Sequence, residues 1–558
     1  MTTPLIPPKG EEIALLKFLD AVDSEGDSVS KDLHKQWEEN IRQVRGDQWR
    51  IRRSPYFLAN IIKNQVRRKV STLTESKPQI KILSQKTGLN KSSLILQNTA
   101  KAIFDRNHTE ETIYKVSQFG MTMGCAGVGI PYNKLSDDID LTFIDPRRIR
   151  IDPLVSSAAD VDKAQYVRID TVLPLHEVRT SFPGRGALVK PDEKMSATPT
   201  RNRATLLNSV LSVLPQVYRP GRIVRPGPIP KTEVKEYWLR DPQLNHEGEF
   251  LFPNGRHIVR AGDIVLLDED NPYIDGGWPI EMFEWDIDYE SPWGLDEIQD
   301  LRRLQEAINR IGDAWVDNTL RSSNFKIVAD QDALDPDQWA KLDNLAGLII
   351  RKKPSRSLEY QAPMEPSQTT ITQLEGLIRL CDLLTGNSDA QGKSSAQGSA
   401  AIEGLQMARQ TLVRSVARRL EAMLERVGQK LISRIFQYYT SDRVLFQQGP
   451  TREWVSFTYE RQKLLEDDNG DPRDPEEIKR MYRDYKFLIS PLSSLAMTRI
   501  QRTMAALQLR AATGVAPSVE RILQESDMGD AREMMREGLE ELKRLPAPPP
   551  PKGRSGRQ

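Results

Sequence analysis

Cysteine is almost missing from this chain. Of 558 residues only Cys125 and Cys381 carry a thiol, too few and too far apart for a disulfide framework and in keeping with a reducing compartment. Five histidines, His34, His108, His176, His246 and His257, never fall at a metal-ligand spacing such as HExxH, so neither a metal nor another cofactor is expected. No apolar run approaches a membrane span, and the opening MTTPLIPPKG has neither the basic start nor the apolar core of a signal peptide. The expectation is a soluble chain made in the cytoplasm. An excess of either charge is lacking too: 79 basic against 78 acidic residues give a net charge of +1, so any contact with nucleic acid must come from local patterning. What is plentiful is proline, 36 residues, and charge, 28% against 38% hydrophobic. That balance describes a loop-rich protein, long enough for two to four structural units.

One short stretch invites an enzymatic reading. "GNSDAQGKSS", residues 386–395, ends in the Gly-Lys-Ser of a P-loop, but five residues separate Gly386 from Gly392 where the pattern allows four. A P-loop also follows a buried strand, whereas Ile371, Leu374, Leu377, Ile378, Cys381 and Leu384 precede this one at helical spacing. An ATPase is therefore set aside, and a small, polar, lysine-bearing loop between two helices is left to explain. The Asp-Pro pairs at Asp145 and Asp152 read as turn openers, because the carboxylate caps the turn and proline fixes φ. Gly124, Gly127 and Gly129 reverse the order of the dinucleotide fingerprint and are read as close backbone packing or a bulge.

Along the chain, residues 1–30 mix proline with charge and are expected to fray. Helical patterns then run from Lys31 to a stop at Gly46, through "NIIKNQVRRKVSTLTESKP", and from Leu94 through Ile113 toward Phe119. From Gly124 the texture is that of strands, "GCAGVGIPYN", "IDLTFIDP", "IRIDP" and "AQYVRIDTVLP". Residues 183–230 read as a mobile insertion or a partner-facing loop. Strands resume in "VKEYWL", "RHIVRAGDIVLLDED" and "WPIEMFEWDIDY", whose Trp278, Phe283 and Trp285 are expected in a core, since their neighbours are acidic rather than basic. An amphipathic helix is predicted over residues 295–320, a strand-rich insert to Pro363 and Pro366, a returning helix over 368–385, and a helix of about 60 Å over 400–439.

Long helix, small β insert, returning helix, polar loop and very long helix, in that order, resemble the stem, clip, stem, tunnel loop and tunnel helix of bacteriophage portal proteins. "RGDQW" with "NIIKNQVRRKVSTLTESKPQIKI" resembles the portal wing, as do "GMTMGCAGVGIPYN", "IDPRRIRIDP" and "AQYVRID". The resemblance covers residues 31–500. It implies an α+β portal fold with an α/β wing, helical stem, small α/β clip, long tunnel helix and helical crown, assembled as a ring. On that mapping 1–30 is a flexible segment, 31–290 the wing, 291–322 the stem helix, 323–366 the clip and 367–385 the returning stem helix. The tunnel loop follows at 386–400, the tunnel helix at 401–440, wing closure at 441–492, a crown at 493–544 and a disordered Pro-rich basic tail at 545–558.

The same resemblance implies a non-enzymatic homo-oligomeric ring, a dodecamer, at one capsid vertex of the virion. Double-stranded DNA would pass through it without sequence readout during packaging and ejection. Implied partners are the terminase large subunit, the major capsid and scaffolding proteins, and head-tail adaptor or tail proteins, with assembly in the host cytoplasm and no membrane contact. In the loop, Gln391, Gly392, Lys393, Ser394, Ser395 and Gln397 would face DNA, Lys393 being either a phosphate contact or a solvated hinge residue. In the clip, Arg351, Lys352, Lys353 and Arg356 would pair between subunits or bind the motor. Leu405, Ala408, Leu412, Val416, Leu420, Leu424, Val427, Leu431 and Ile435 form a stripe on the tunnel helix that neighbouring subunits would cover. The cations of that helix, among them Arg409, Arg414, Arg418, Arg419, Arg426, Lys430 and Arg434, would be solvated, paired between subunits or placed against DNA. The competing readings are another virion ring, such as a head-tail adaptor, and a packaging ATPase or nuclease.

Overall fold

The computed structural model describes residues 6–48, 57–75, 77–192, 229–244, 250–322, 326–330, 354–361, 368–385, 399–448, 453–466, 468, 473, 477 and 480–489. Of residues 320–322, 326–329, 358–361, 368, 370 and 399–412 it describes the backbone alone. Most of the expected insertion, the tunnel loop, the crown and the tail lie outside the described residues.

The chain opens with α1 (Glu12–Arg45), 34 residues ending at Gly46, the stop read from the sequence. Its first half corrects the expectation that residues 1–30 fray. Leu15, Leu19 and Val22 are buried against Tyr166, Tyr237, Leu239, Ile258 and Val265 of a sheet, and Asp23 is buried with them. Asp23 accepts hydrogen bonds from Arg168 (2.6 Å), Tyr237 (2.7 Å), Lys235 (2.7 Å) and Arg260. Next come α2 (Ile61–Leu73) and β1 (Ile80–Ser84). The single helix expected from Leu94 onward is two, α3 (Asn90–Arg106) and α4 (Thr109–Met123). His108 breaks them with a φ of 47°, and Asn107 holds the break by donating to the carbonyls of Ile103 (2.9 Å) and Ile139 (3.1 Å).

The middle of the chain is antiparallel sheet. Short strands β2 (Cys125–Gly129), β3 (Tyr132–Asn133), β4 (Asp138–Ile139), β5 (Thr142–Ile144) and β6 (Ile149–Ile151) are followed by β7 (Tyr166–Pro174) and the small helix α5 (Leu175–Ser181). Then come β8 (Lys231–Leu239), β9 (Arg256–Ala261), β10 (Ile264–Asp270) and β11 (Ile280–Glu284). They form a five-stranded sheet in the order β10-β9-β8-β7-β6, a three-stranded sheet β11-β2-β5 and the ribbon β3-β4. Asp145 and Asp152 are turn openers as read: their carboxylates accept from the backbone N–H groups of Arg147 and Leu154, each at 3.0 Å. Gly127 sits where a Cβ would come within 2.6 Å of Ile149, which is the close packing that its motif suggested. Trp278, Phe283 and Trp285 are buried core residues.

Three long helices follow, α6 (Ile298–Ser322), α7 (Gln368–Leu384) and α8 (Ser399–Tyr438), each within three residues of its predicted bounds. Between α6 and α7 lie the paired strands β12 (Lys326–Ala329) and β13 (Leu358–Gln361). After α8 the chain makes the hairpin strands β14 (Arg443–Gln448) and β15 (Trp454–Tyr459), the short helix α9 (Arg461–Leu465) and β16 (Tyr485–Ile489). Strand β16 pairs antiparallel with β1, Ile489 opposite Ile80.

The largest core cluster gathers Ile62, Val66 and Val70 of α2, Leu96 and Ile103 of α3, and Val116 of α4 around α8. Here a second expectation is overturned. Val416, Leu420, Leu424, Val427, Leu431 and Ile435 are all buried within one chain, so over this length the stripe needs no neighbouring subunit. The side chains of Leu405, Ala408 and Leu412 lie outside the described ones. Contact between α8 and β16 is close because Gly428 has no side chain: a Cβ there would meet the ring of Phe487 at 2.2 Å.

Candidate functional site

Stem-like helices α6 and α7 leave and re-enter the body beside one another, and α2 holds both ends of the excursion. At the start of α6, Lys69 of α2 donates to both carboxylate oxygens of Glu297 at 2.8 Å, and the indole of Trp285 donates to the same carboxylate at 3.0 Å. At the end of α7, Gln65, one helical turn earlier on α2, donates to Asp382 at 2.5 Å and accepts from the hydroxyl of Thr385 at 3.1 Å. Gln65, Lys69 and Thr385 are all buried, where an unmatched polar group is costly. A third tie lies one side over. Gln305 of α6 accepts from the first N–H groups of α2, Ile61 at 2.9 Å and Ile62 at 3.3 Å, and donates to Asn309 at 3.0 Å. It shares the capping of the α2 N-terminus with Asn60, whose side chain accepts from the N–H of Lys63 at 3.0 Å. Gln65, Lys69, Glu297, Gln305, Asp382 and Thr385 carry no mark in the sequence, since each is an ordinary polar side chain whose partner across the fold lies more than 200 positions away.

Thr385 is the last described residue before the loop. Gln391, Gly392, Lys393, Ser394, Ser395 and Gln397 lie outside the described residues, between Thr385 and the first turn of α8. Beyond the stem, the backbone of β12-β13 is tied off by Asp330, whose carboxylate accepts from the N–H of Ser357 at 2.9 Å while its own N–H donates to the carbonyl of Ser357 at 3.0 Å. Arg356 stands exposed at the entry to β13. Arg351, Lys352 and Lys353 are outside the described residues.

The cations of α8 separate into two groups, and for one of them the sequence reading is corrected. Arg419 donates to the carbonyl of Trp285, and Arg426 to Glu281 and to the carbonyl of Met282, both at 2.9 Å. Lys430 reaches Asp162 and Glu281 at 2.8 Å and the carbonyls of Trp278 and Ile280. Arg434 pairs with Asp275 and lies 3.7 Å from the ring centre of Tyr273. These four are internal ties between α8 and the sheets rather than a solvated face. Burial pushes the Lys430 ammonium down, but Glu281 and Asp162 outweigh it and hold its pKa above the ordinary lysine value. Toward the loop, Arg418 is exposed, Arg414 is half-buried, and Arg409 belongs to the turns whose side chains are not described.

Both thiols are buried, and burial raises their pKa values, that of Cys381 to about 11, so neither is a nucleophile at neutral pH. Among the described residues no cluster of His, Cys, Asp and Glu could hold a metal ion, and no helix is long and apolar enough to cross a membrane.

Two rods pinned by one helix, with a strand pair at their far end and a forty-residue helix beyond the loop, make up the frame of the candidate site. A family model described as Phage P22-like portal protein matches residues 30–553, and the chain belongs to that family. It is thus a phage portal protein, one of a structural and non-enzymatic family at the capsid vertex that handles DNA and meets packaging and tail proteins. No curated protein matches the chain.

Proposed function

We propose that copies of this chain stand around an axis as a dodecameric ring at a single capsid vertex. The excursion α6-β12-β13-α7 forms the outward stem and clip, and residues 386–398 project into the channel. The supporting observation is the double anchor on α2. Lys69 and Gln65 fix both ends of the excursion on a single helix, so that β12-β13 is carried on a pinned pair of rods and the loop hangs from a fixed point at Thr385.

Many copies of Lys393, each touching phosphate without reading bases, steady a sliding duplex without locking it. Arg409, Arg414 and Arg418, at the loop end of α8, add positive charge near the same level. The clip, with Arg351, Lys352, Lys353 and Arg356, is the seat of the terminase large subunit during packaging and of head-tail adaptor or tail proteins afterwards. Major capsid and scaffolding proteins meet the wing during assembly in the host cytoplasm. Force comes from the motor, and the ring contributes shape and a charged lining.

Two measurements test this reading. Negative-stain images of the purified protein are expected to show a ring with a central hole, and a chain that stays monomeric under every condition refutes the assembly. Particles carrying Lys393→Ala are expected to lose packaged DNA more readily than wild type, with a weaker dependence on salt. Normal packaging and retention at all salt concentrations refutes the role of the loop.

A further inference from the structure

The hairpin β14-β15 has two faces of unlike fate. Leu445 and Phe457, opposite one another in the register, pack onto the core cluster. On the other face the pairs are Val444 with Thr458, Phe446 with Ser456, and Gln448 with Trp454. None of these six side chains is charged, and Val444, Phe446 and Trp454 are 59%, 57% and 59% exposed. Large apolar side chains left contiguous and uncharged on an open sheet face mark a contact surface.

The path of the chain says what covers it. Strand β16 ends at Ile489, opposite Ile80. Three residues before Ile80, Lys77 donates to the side chain of Gln448 at 2.5 Å, and Gln448 faces Trp454. The chain therefore leaves the body on the side of the hairpin's turn end, where Gln448 pairs with Trp454, with 69 residues still to come. Residues 490–496 span up to about 23 Å when extended, enough to cross the strand spacing of about 5 Å from β16 to β1 and to run the roughly 10 Å of three residues back to Lys77 beside the hairpin. Immediately after them Met497, Ile500, Met504 and Leu507 recur at steps of three, four and three, one apolar stripe of a helix. Arg499, Arg502 and Arg510 are interleaved with the stripe, and the hairpin offers exposed Glu453 beside Trp454. Methionine is well suited to such a surface, since a flexible thioether packs favourably on Phe and Trp rings.

We propose that the uncharged outer face of the β14-β15 hairpin is the docking surface for residues 497–507 of the same chain. The contact tucks the start of the C-terminal segment against the body that it has just left, and it does not depend on how many copies make the ring.

Thiol labelling of the full-length chain tests it. Cys125 and Cys381 are buried, so a thiol introduced by Phe446→Cys reports its own surroundings. Its reaction with a maleimide is expected to be about tenfold slower than that of Leu135→Cys, and Met504→Asp with Leu507→Asp is expected to abolish most of that difference. Labelling as fast as the Leu135→Cys reference, or slow labelling indifferent to the two aspartates, overturns the proposal. In the pair Phe446→Cys with Met504→Cys, oxidised with diamide, a disulfide within one chain supports it. A cross-link joining two chains overturns it by giving the surface to a neighbouring copy, and failure to cross-link at all also counts against it.

Discussion

Replacing Asp23 by asparagine keeps the shape of the side chain and removes the charge that holds α1 to the five-stranded sheet. Asp23 is 7% exposed and Arg168 1%, so the pair is buried, and removing one partner of such a pair costs about 3–5 kcal/mol. Arg168 keeps Asp27 at 2.7 Å and Asp170 at 2.9 Å, which places the expected cost at the lower end, about 3 kcal/mol. At 1.36 kcal/mol per decade this is roughly a hundredfold rise in the opening equilibrium of residues 12–30. Amide hydrogen exchange followed by mass spectrometry reads it directly, as faster exchange confined to the first half of α1. Asp20→Asn is the control: Asp20 pairs with Arg260 at 2.8 Å but is 69% exposed, and its loss is expected to cost below about 1 kcal/mol. Equal exchange in the two variants would refute the clamp. The pH dependence has a definite sign. Burial works to raise the Asp23 carboxyl, but Arg168, Lys235 and Arg260 outweigh it and hold its pKa below the ordinary 3.8. The stabilisation is complete above about pH 4 and is lost as pH falls through the lowered value.

Lys430→Met leaves Glu281 with Arg426 alone, at 2.9 Å, and takes the ammonium from the part-exposed Asp162; an expected loss at the lower end, about 3 kcal/mol, appears as a lowered melting temperature. Glu281→Gln added to Lys430→Met is expected to recover part of the loss, and no recovery means that the pair does not act as a unit. His257 is buried against the Trp238 ring, 4.0 Å between centres, with Glu236 at 2.9 Å and Glu269 at 3.6 Å. Burial depresses its pKa, but the two carboxylates outweigh burial and raise it above 6.5. Its contribution to stability is thus full below about pH 6.5 and fades as pH rises through the raised value. Urea midpoints of the wild type are expected to fall between pH 6 and pH 8.5 by more than those of His257→Gln, and identical falls refute the assignment.

The long helices were legible because the signals that make them are local. Apolar residues at steps of three and four carry α6, α7 and α8, and Gly46 stops α1 where a glycine after the last periodic residue should. The first half of α1 was not legible, because Asp20, Asp23 and Asp27 look like solvent-seeking acids until Arg150, Arg168, Lys235 and Arg260 are brought beneath them from four strands. The α8 cations misled in the same way: Arg426 and Lys430 share a helix with acids that suggest surface pairing, yet both go to Glu281, about 150 positions earlier. Of the candidate site, order was readable and anchorage was not. Nothing near Gln65 or Lys69 in the sequence marks α2 as the helix that holds both ends of the stem.

The pairing of β1 with β16 also sets a clock on synthesis. Ile80 meets Ile489, made 409 residues later, a wait of roughly 20–80 s at ribosomal speeds of about 5–20 residues per second. Through that interval Ile82, buried once the subunit is complete, has no strand beside it, and the groove over Gly428 lacks the Phe487 ring that fills it. A nascent subunit therefore cannot present its finished body until nearly all of it has left the ribosome, and truncated chains lack the strand that closes it.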